Sequence, residues 1–183
     1  MMRNGRFLFA PVLAAAALFG CAGTPRGPGP LALVDHLDLQ RYLGRWYEIA
    51  RFTKGFERNI VGATAEYSLR PDGRIQVVNS GFRGSVDGPY TQARGVAWVP
   101  DPGRPAALKV SFFWPFAGDY LVFGLDPVGY GWALVGSDSR DYLWFLARTP
   151  EVSDQLYQQM RQMAQDQGYD LSRLDKVPQK PRS

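Results

Sequence analysis

Between Arg45 and Arg148 the chain is cut into short β-prone runs by turn signals at nearly even intervals. This punctuation constrains the fold more than any other feature of the sequence. The runs are residues 45–53, 63–70, 74–81, 91–100, 107–114, 119–125, 130–136 and 141–148. Between them stand Pro71-Asp72-Gly73, Asp87-Gly88-Pro89, Asp101-Pro102-Gly103, Asp126-Pro127 and Ser137-Asp138-Ser139, the residue types that tight turns require. Eight short strands so spaced predict an all-β sandwich or barrel. Leu108, Val110 and Phe112 alternate with Lys109 and Ser111, the period of a sheet wet on one face. A sheet of this size that closes has an interior wide enough for side chains or one small ligand, and closure leaves no edge strand exposed.

After the strands the period changes. Thr149 reads as an N-cap, Pro150 as the first helical residue and Gly168 as the stop. Val152, Leu156, Met160, Met163 and Ala164 fall at helical spacing, an apolar stripe that predicts a C-terminal α-helix docked on the outside of the sheet.

The first twenty residues are read apart from this domain. Arg3 and Arg6 precede an apolar run over residues 7–19, which reads as an export signal. Outside it, no apolar run approaches the roughly 18 residues a membrane helix needs. Leu18-Phe19-Gly20-Cys21 ends the run with a small residue before the only cysteine of the chain, similar to the lipobox of bacterial lipoproteins. That resemblance implies an acylated Cys21 as a membrane anchor, a signal over 1–20, and a tether over 21–36 containing Thr24 to Pro30. With Ala22 rather than Asp following the cysteine, it also implies the outer membrane.

One cysteine excludes an internal disulfide, and one histidine makes a Cys/His zinc cluster implausible. The net charge of +4 resides in the signal and in a basic tail over 178–183; from Arg41 to Asp175 cations and anions balance. No nucleic-acid partner is expected from such a surface.

Gly44-Arg45-Trp46 carries a G-x-W motif at the start of the first run. Leu125-Asp126-Pro127 with a following Tyr130 loosely matches T-D-x-x-Y, and Arg148 stands after the last run, just before the helix. Together with Cys21, these resemble the bacterial outer-membrane lipocalins over roughly residues 37–177. The resemblance implies an eight-stranded antiparallel up-and-down β-barrel with a C-terminal α-helix packed outside. It gives Gly44, Trp46 and Arg148 a structural role, with Trp46 plugging the closed end under the Arg148 guanidinium. The function implied is that of a membrane-anchored lipocalin that binds, stores or transports fatty acids or lysophospholipids in the cell envelope, without a cofactor or metal.

With Trp46 inward, strict alternation turns Glu48, Ala50 and Phe52 inward too. By the same resemblance the ligand cavity takes Ala65, Tyr67, Val77, Asn79, Ala93, Val110, Phe112, Tyr120, Val122 and Trp144. Tyr67, Asn79 and Tyr120 are then expected to meet a polar headgroup near the mouth. Glu48 inside a barrel is costly unless paired or protonated. Catalysis would need a nucleophile with a base, and the only Cys is committed to acylation while His36 lies outside the barrel. Glu48 with Tyr67 is the one remaining pair, so a non-enzymatic protein is expected. The aromatic run 111–116 fits a lip that meets lipid or a homodimer partner, or a cover for a loop. A filled barrel serving as a structural or interaction module of the envelope is the alternative to a carrier.

Overall fold

The computed structural model describes residues 29–180. The export signal and Cys21 therefore lie outside the described residues. A four-residue helix, α1 (Leu39–Tyr42), leads into eight strands: β1 (Gly44–Phe52), β2 (Ile60–Leu69), β3 (Ile75–Arg83), β4 (Tyr90–Trp98), β5 (Ala107–Phe113), β6 (Phe116–Leu125), β7 (Trp132–Gly136) and β8 (Leu143–Ala147). Each strand pairs antiparallel with the next, and β1 pairs with both β2 and β8, which closes the barrel. The turn signals seen in the sequence make these connections. At residues 70–74, for example, the Asp72 carboxylate accepts from the Arg74 amide and the Arg70 guanidinium.

The connections divide between two ends. Loops 70–74, 99–106 and 126–131 share one end with α1, while loops 53–59, 84–89, 114–115 and 137–142 share the other. The first end is closed by α1 and its neighbours; the second is open.

The strict alternation expected along β1 stops at Ile49. Glu48 lies opposite Leu146, but Ala50 lies opposite Phe145, so two steps on β1 match one on β8. Such a bulge turns every later side chain to the other face. Ala50 and Phe52 are thereby moved out of the expected cavity and into the apolar layer outside the barrel, with Phe145 and Met160. Arg51, opposite Trp144, takes the inward place.

The helix, α2 (Asp154–Asp166), starts later than Thr149 and Pro150 predict. Ser153 is its N-cap, accepting from the Leu156 amide, and Asp154 supplies the acidic residue favoured in the first turn. Its end falls where expected: Gly168, with φ of +84°, follows the Gln167 cap in the left-handed conformation that glycine adopts without strain. Tyr157, Met160 and Ala164 form the buried face, packed on Ile49, Leu134, Leu143 and Phe145 of the sheet.

A ninth strand, β9 (Leu174–Lys176), pairs with Ala50–Phe52 of β1. Beyond it Val177 donates to the Ile49 carbonyl, and the Pro178 carbonyl accepts from Gly62. The Gln179 amide bridges the Glu48 and Ala63 carbonyls. The C-terminal segment thus splints the seam where β1 and β2 part near the open end, and Pro178 and Gln179, within the expected basic tail over 178–183, are held to the barrel. Residues 31–36 of the span expected as a tether are likewise held against it. From Leu31 onward the chain is bound to the barrel through Leu31 N to Asp138 Oδ1 (2.8 Å), Val34 N to the Val122 carbonyl (3.1 Å) and Asp38 N to Tyr130 Oη (3.0 Å). His36 stays exposed beside it.

Candidate functional site

The floor of the barrel is built from the start of β1. Trp46 is fully buried, and its indole N–H donates to the Tyr42 carbonyl at 2.9 Å. The Arg148 guanidinium lies 3.8 Å from the centre of the Trp46 ring. The same guanidinium donates to the carbonyls of Arg41, Tyr42, Arg45 and Tyr130, closing the end with backbone contacts from three segments. Gly44 has φ of +91°, and a Cβ there would sit 3.4 Å from the Arg148 guanidinium. Asp126 orders the adjoining loop by accepting from the amides of Val128, Gly129 and Gly131. Backbone N–H donors, chiefly that of Gly129, hold its carboxyl below the usual range.

At the same end, Tyr120 Oη lies 2.8 Å from both Tyr42 Oη and Tyr67 Oη. Burial pushes all three phenols up, so they act as neutral hydroxyls bonded to one another. Tyr67 and Tyr120 are therefore spent on this triad deep in the barrel, whereas the sequence placed them with Asn79 near the mouth. The void left among Tyr42, Tyr67, Leu108 and Tyr120 measures about 10 Å³, room for one water at most.

Higher up, the strand register sets the wall. Trp46, Ala65, Asn79 and Ala93 stand in one row across β1 to β4, and Tyr67, Val77 and Gly95 stand in the row below. Val110 lies opposite Ala97, while Val122, Val135 and Trp144 form a row on the far wall. The Phe112 ring crosses Gly95 so closely that a Cβ there would lie 2.9 Å from it. Accessibility grades along these rows: Ala65, Tyr67, Val77 and Val122 are buried, whereas Asn79, Val110, Phe112, Tyr120 and Trp144 are half-buried. Ala93 points inward and yet is exposed. The upper interior is open at this end, and small side chains form part of its lining.

The charged chemistry of the mouth sits on β1. The Arg51 side chain is only 4% exposed and that of Glu48 5%, and the two form an ion pair inside the wall. Arg51 also donates to the carbonyls of Glu57 and Ile60, each at 2.9 Å, which ties loop 53–59 to the strand. Next to them Lys54 lies 4.7 Å from the Tyr142 ring, which stacks on Trp144.

A plugged barrel with an open mouth, built on this motif order, is matched by the model of the lipocalin-like domain over residues 37–179. The chain belongs to the lipocalin family. Outer membrane lipoprotein Blc of Escherichia coli K12 is 44% identical to this lipocalin over 172 residues, covering 94% of this chain and 96% of that one. The protein of the same name in Vibrio cholerae is 40% identical over 168 residues, covering 92% and 96%. Among solved structures, insecticyanin from the tobacco hornworm Manduca sexta superposes with a TM-score of 0.65 at 18% identity, covering 84% of this chain and 87% of that one; this likeness concerns the fold alone. The bacterial relatives place this lipocalin at the outer membrane, held by a lipid anchor.

Sequence reasoning missed Arg51 and Glu57. Alternation turned Arg51 outward, and the only available hint was that an inward Glu48 demanded a cationic partner. Glu48 and Tyr67, the pair left for acid–base chemistry, are committed elsewhere in this lipocalin, one to Arg51 and the other to Tyr120. Among the described residues no group of three or more His, Cys, Asp or Glu converges on one point.

Burial pushes the Glu57 carboxyl above the usual glutamate range, and neighbouring Glu48 adds to the rise; Arg51, the Lys54 amide and the Trp144 side chain oppose it. A carboxyl whose folded pKa is raised contributes stability below its unfolded pKa and loses that contribution as pH rises through the folded value. Glu57→Gln is therefore expected to gain stability over the parent protein as pH climbs from about 4. The gain should level off above the folded pKa. Urea denaturation of both proteins across this range measures the difference; a constant difference would refute the assignment.

Proposed function

We propose that this lipocalin is an envelope carrier that holds a fatty acid or lysophospholipid acyl chain in the open half of its barrel and is tethered through acylated Cys21. The observation that supports it is the set of inward side chains, Asn79, Ala93, Phe112 and Trp144, which stay accessible while Trp46 is sealed under Arg148. An acyl chain burying ~300–400 Å² at ~25 cal/mol per Å² gains roughly 8–10 kcal/mol before association costs, which puts micromolar affinity in reach. Ala93 and Asn79 leave space that larger residues would fill, and no covalent step is needed.

Calorimetric titration of the chain starting at Ala22 with oleate and with lysophosphatidylcholine tests this reading. Saturable one-site binding at micromolar or tighter is expected. Ala93→Trp, which places an indole at the accessible end of the row that starts at Trp46, is expected to weaken binding by roughly 100-fold while the protein stays folded, equivalent to losing about 3 kcal/mol of buried area. A folded parent protein that binds neither lipid would overturn the carrier reading and leave a filled barrel acting through its surface.

A further inference from the structure

The exposed aromatic side chains are not spread evenly. Phe113, Trp114 and Phe116 are 80%, 79% and 78% exposed at the tip of the β5–β6 hairpin, and exposed Tyr90 and Tyr142 border the same open end. The closed end carries only the isolated aliphatics Leu69 and Val128 among the large exposed apolar residues described. Three bare aromatics within four residues of one hairpin cost solubility and mark a contact surface rather than packing.

The path of the N-terminal segment says what that surface meets. Asp38 is bound at loop 126–131 of the closed end, Val34 at mid-height on β6, and Leu31 at loop 137–142 of the open end. Read towards the anchor, the chain thus climbs the outside of the barrel and leaves it on the side of the mouth. Cys21 stands ten residues upstream of Leu31. Fully extended, that length reaches about 33–36 Å, no more than one small domain. A barrel tethered at its mouth by so short a line keeps its aromatic hairpin within reach of the bilayer. Phe and Trp are the side chains that settle at the boundary between headgroups and acyl chains. Arg58, on the mouth loop across the barrel, and Arg83, at the end of β3, are exposed cations at the same end, of the charge that anionic headgroups attract.

We propose that this lipocalin docks mouth-down on the membrane that holds its anchor, with Phe113, Trp114 and Phe116 inserted at the headgroup level. The inference rests on the anchoring at Cys21 and deepens the carrier reading. In this pose the accessible side chains of Asn79, Ala93 and Phe112 open towards the bilayer, so an acyl chain passes between membrane and barrel without crossing bulk water.

The test uses the full acylated chain in phosphatidylethanolamine–phosphatidylglycerol vesicles. Acylation blocks Cys21, so a cysteine introduced at Ala117→Cys, beside the hairpin tip, or at Val128→Cys, on the closed end, takes an environment-sensitive fluorophore selectively. The expected result is a blue shift, with quenching by lipids spin-labelled high on the acyl chain, at position 117 and not at 128. Replacing Phe113, Trp114 and Phe116 together with serine should abolish the shift at 117 while oleate binding in solution is retained. Protein that co-floats with vesicles but keeps the 117 label in water overturns mouth-down docking and leaves the anchor standing. Protein that does not co-float overturns the anchoring and the docking with it. A stronger response at 128 than at 117 would reverse the orientation.

Discussion

Arg51→Met is expected to cost about 3–5 kcal/mol, enough to bring a domain of ordinary stability close to unfolding at room temperature. The reason is the company Arg51 keeps. Its guanidinium is buried against Glu48 and also holds the carbonyls of Glu57 and Ile60. Removing it leaves a carboxylate in the barrel wall with no counter-charge and frees two carbonyls at the root of loop 53–59. The size of the loss comes mainly from the stranded partner, and a second variant separates the two contributions. Glu48→Gln combined with Arg51→Met removes both charges and is expected to recover more than half of the single-variant loss, because a buried ion pair is often worth little more than a well-packed neutral pair. Urea unfolding at neutral pH measures both. A loss below about 1 kcal/mol in Arg51→Met would mean that water reaches Glu48 and that the wall is not dry there.

This pair also marks where sequence reading ran out. The turns were legible because Pro, Gly and Asp have few other places to go, and the eight strands followed from them. Trp46 and Arg148 could be placed through the resemblance to the lipocalins, and the stop at Gly168 because glycine ends a helix without strain. The bulge at Ile49 could not, since Glu48-Ile49-Ala50-Arg51-Phe52 offers an apolar residue to the outer layer in either register, and only the pairing with Leu146 and Phe145 decides between them. The helix start was ambiguous for a similar reason: Thr149-Pro150 and Ser153-Asp154 are both capping sequences, and the second is used. Strand β9 has three residues, Leu174-Asp175-Lys176, too few to show any period. Tyr67 and Tyr120 were assigned to the wall by resemblance, and their depth depends on Tyr42, which arrives from α1. No local pattern announces a contact between residues 78 positions apart.

Trp46→Ala should be the other severe substitution, at about 3–5 kcal/mol, because the largest fully buried side chain of the described residues would leave a void that the rigid barrel wall cannot close. The loss extends to Arg148, which keeps its carbonyl contacts but no longer has a ring beneath it; that stacking alone is worth ~0.5–2 kcal/mol. Trp46→Phe separates these contributions. It keeps most of the ring for Arg148 to cover but cannot donate to the Tyr42 carbonyl, so it is expected to cost about 1–3 kcal/mol, less than alanine. Thermal and urea unfolding of both variants give the ranking. If Trp46→Phe were as damaging as Trp46→Ala, the indole N–H bond would outweigh both the packing and the stacking. Ligand affinity provides the contrast that assigns roles to the two ends. Trp46 stands at the sealed end of the row that runs through Ala65 and Asn79 to Ala93, fully buried where Ala93 is exposed, so Trp46→Phe is expected to lower stability while leaving oleate affinity nearly unchanged. Ala93→Trp, at the accessible end of the same row, is expected to do the reverse. A protein in which both substitutions moved affinity together would have its ligand resting on the tryptophan, with the sealed floor serving as the binding surface.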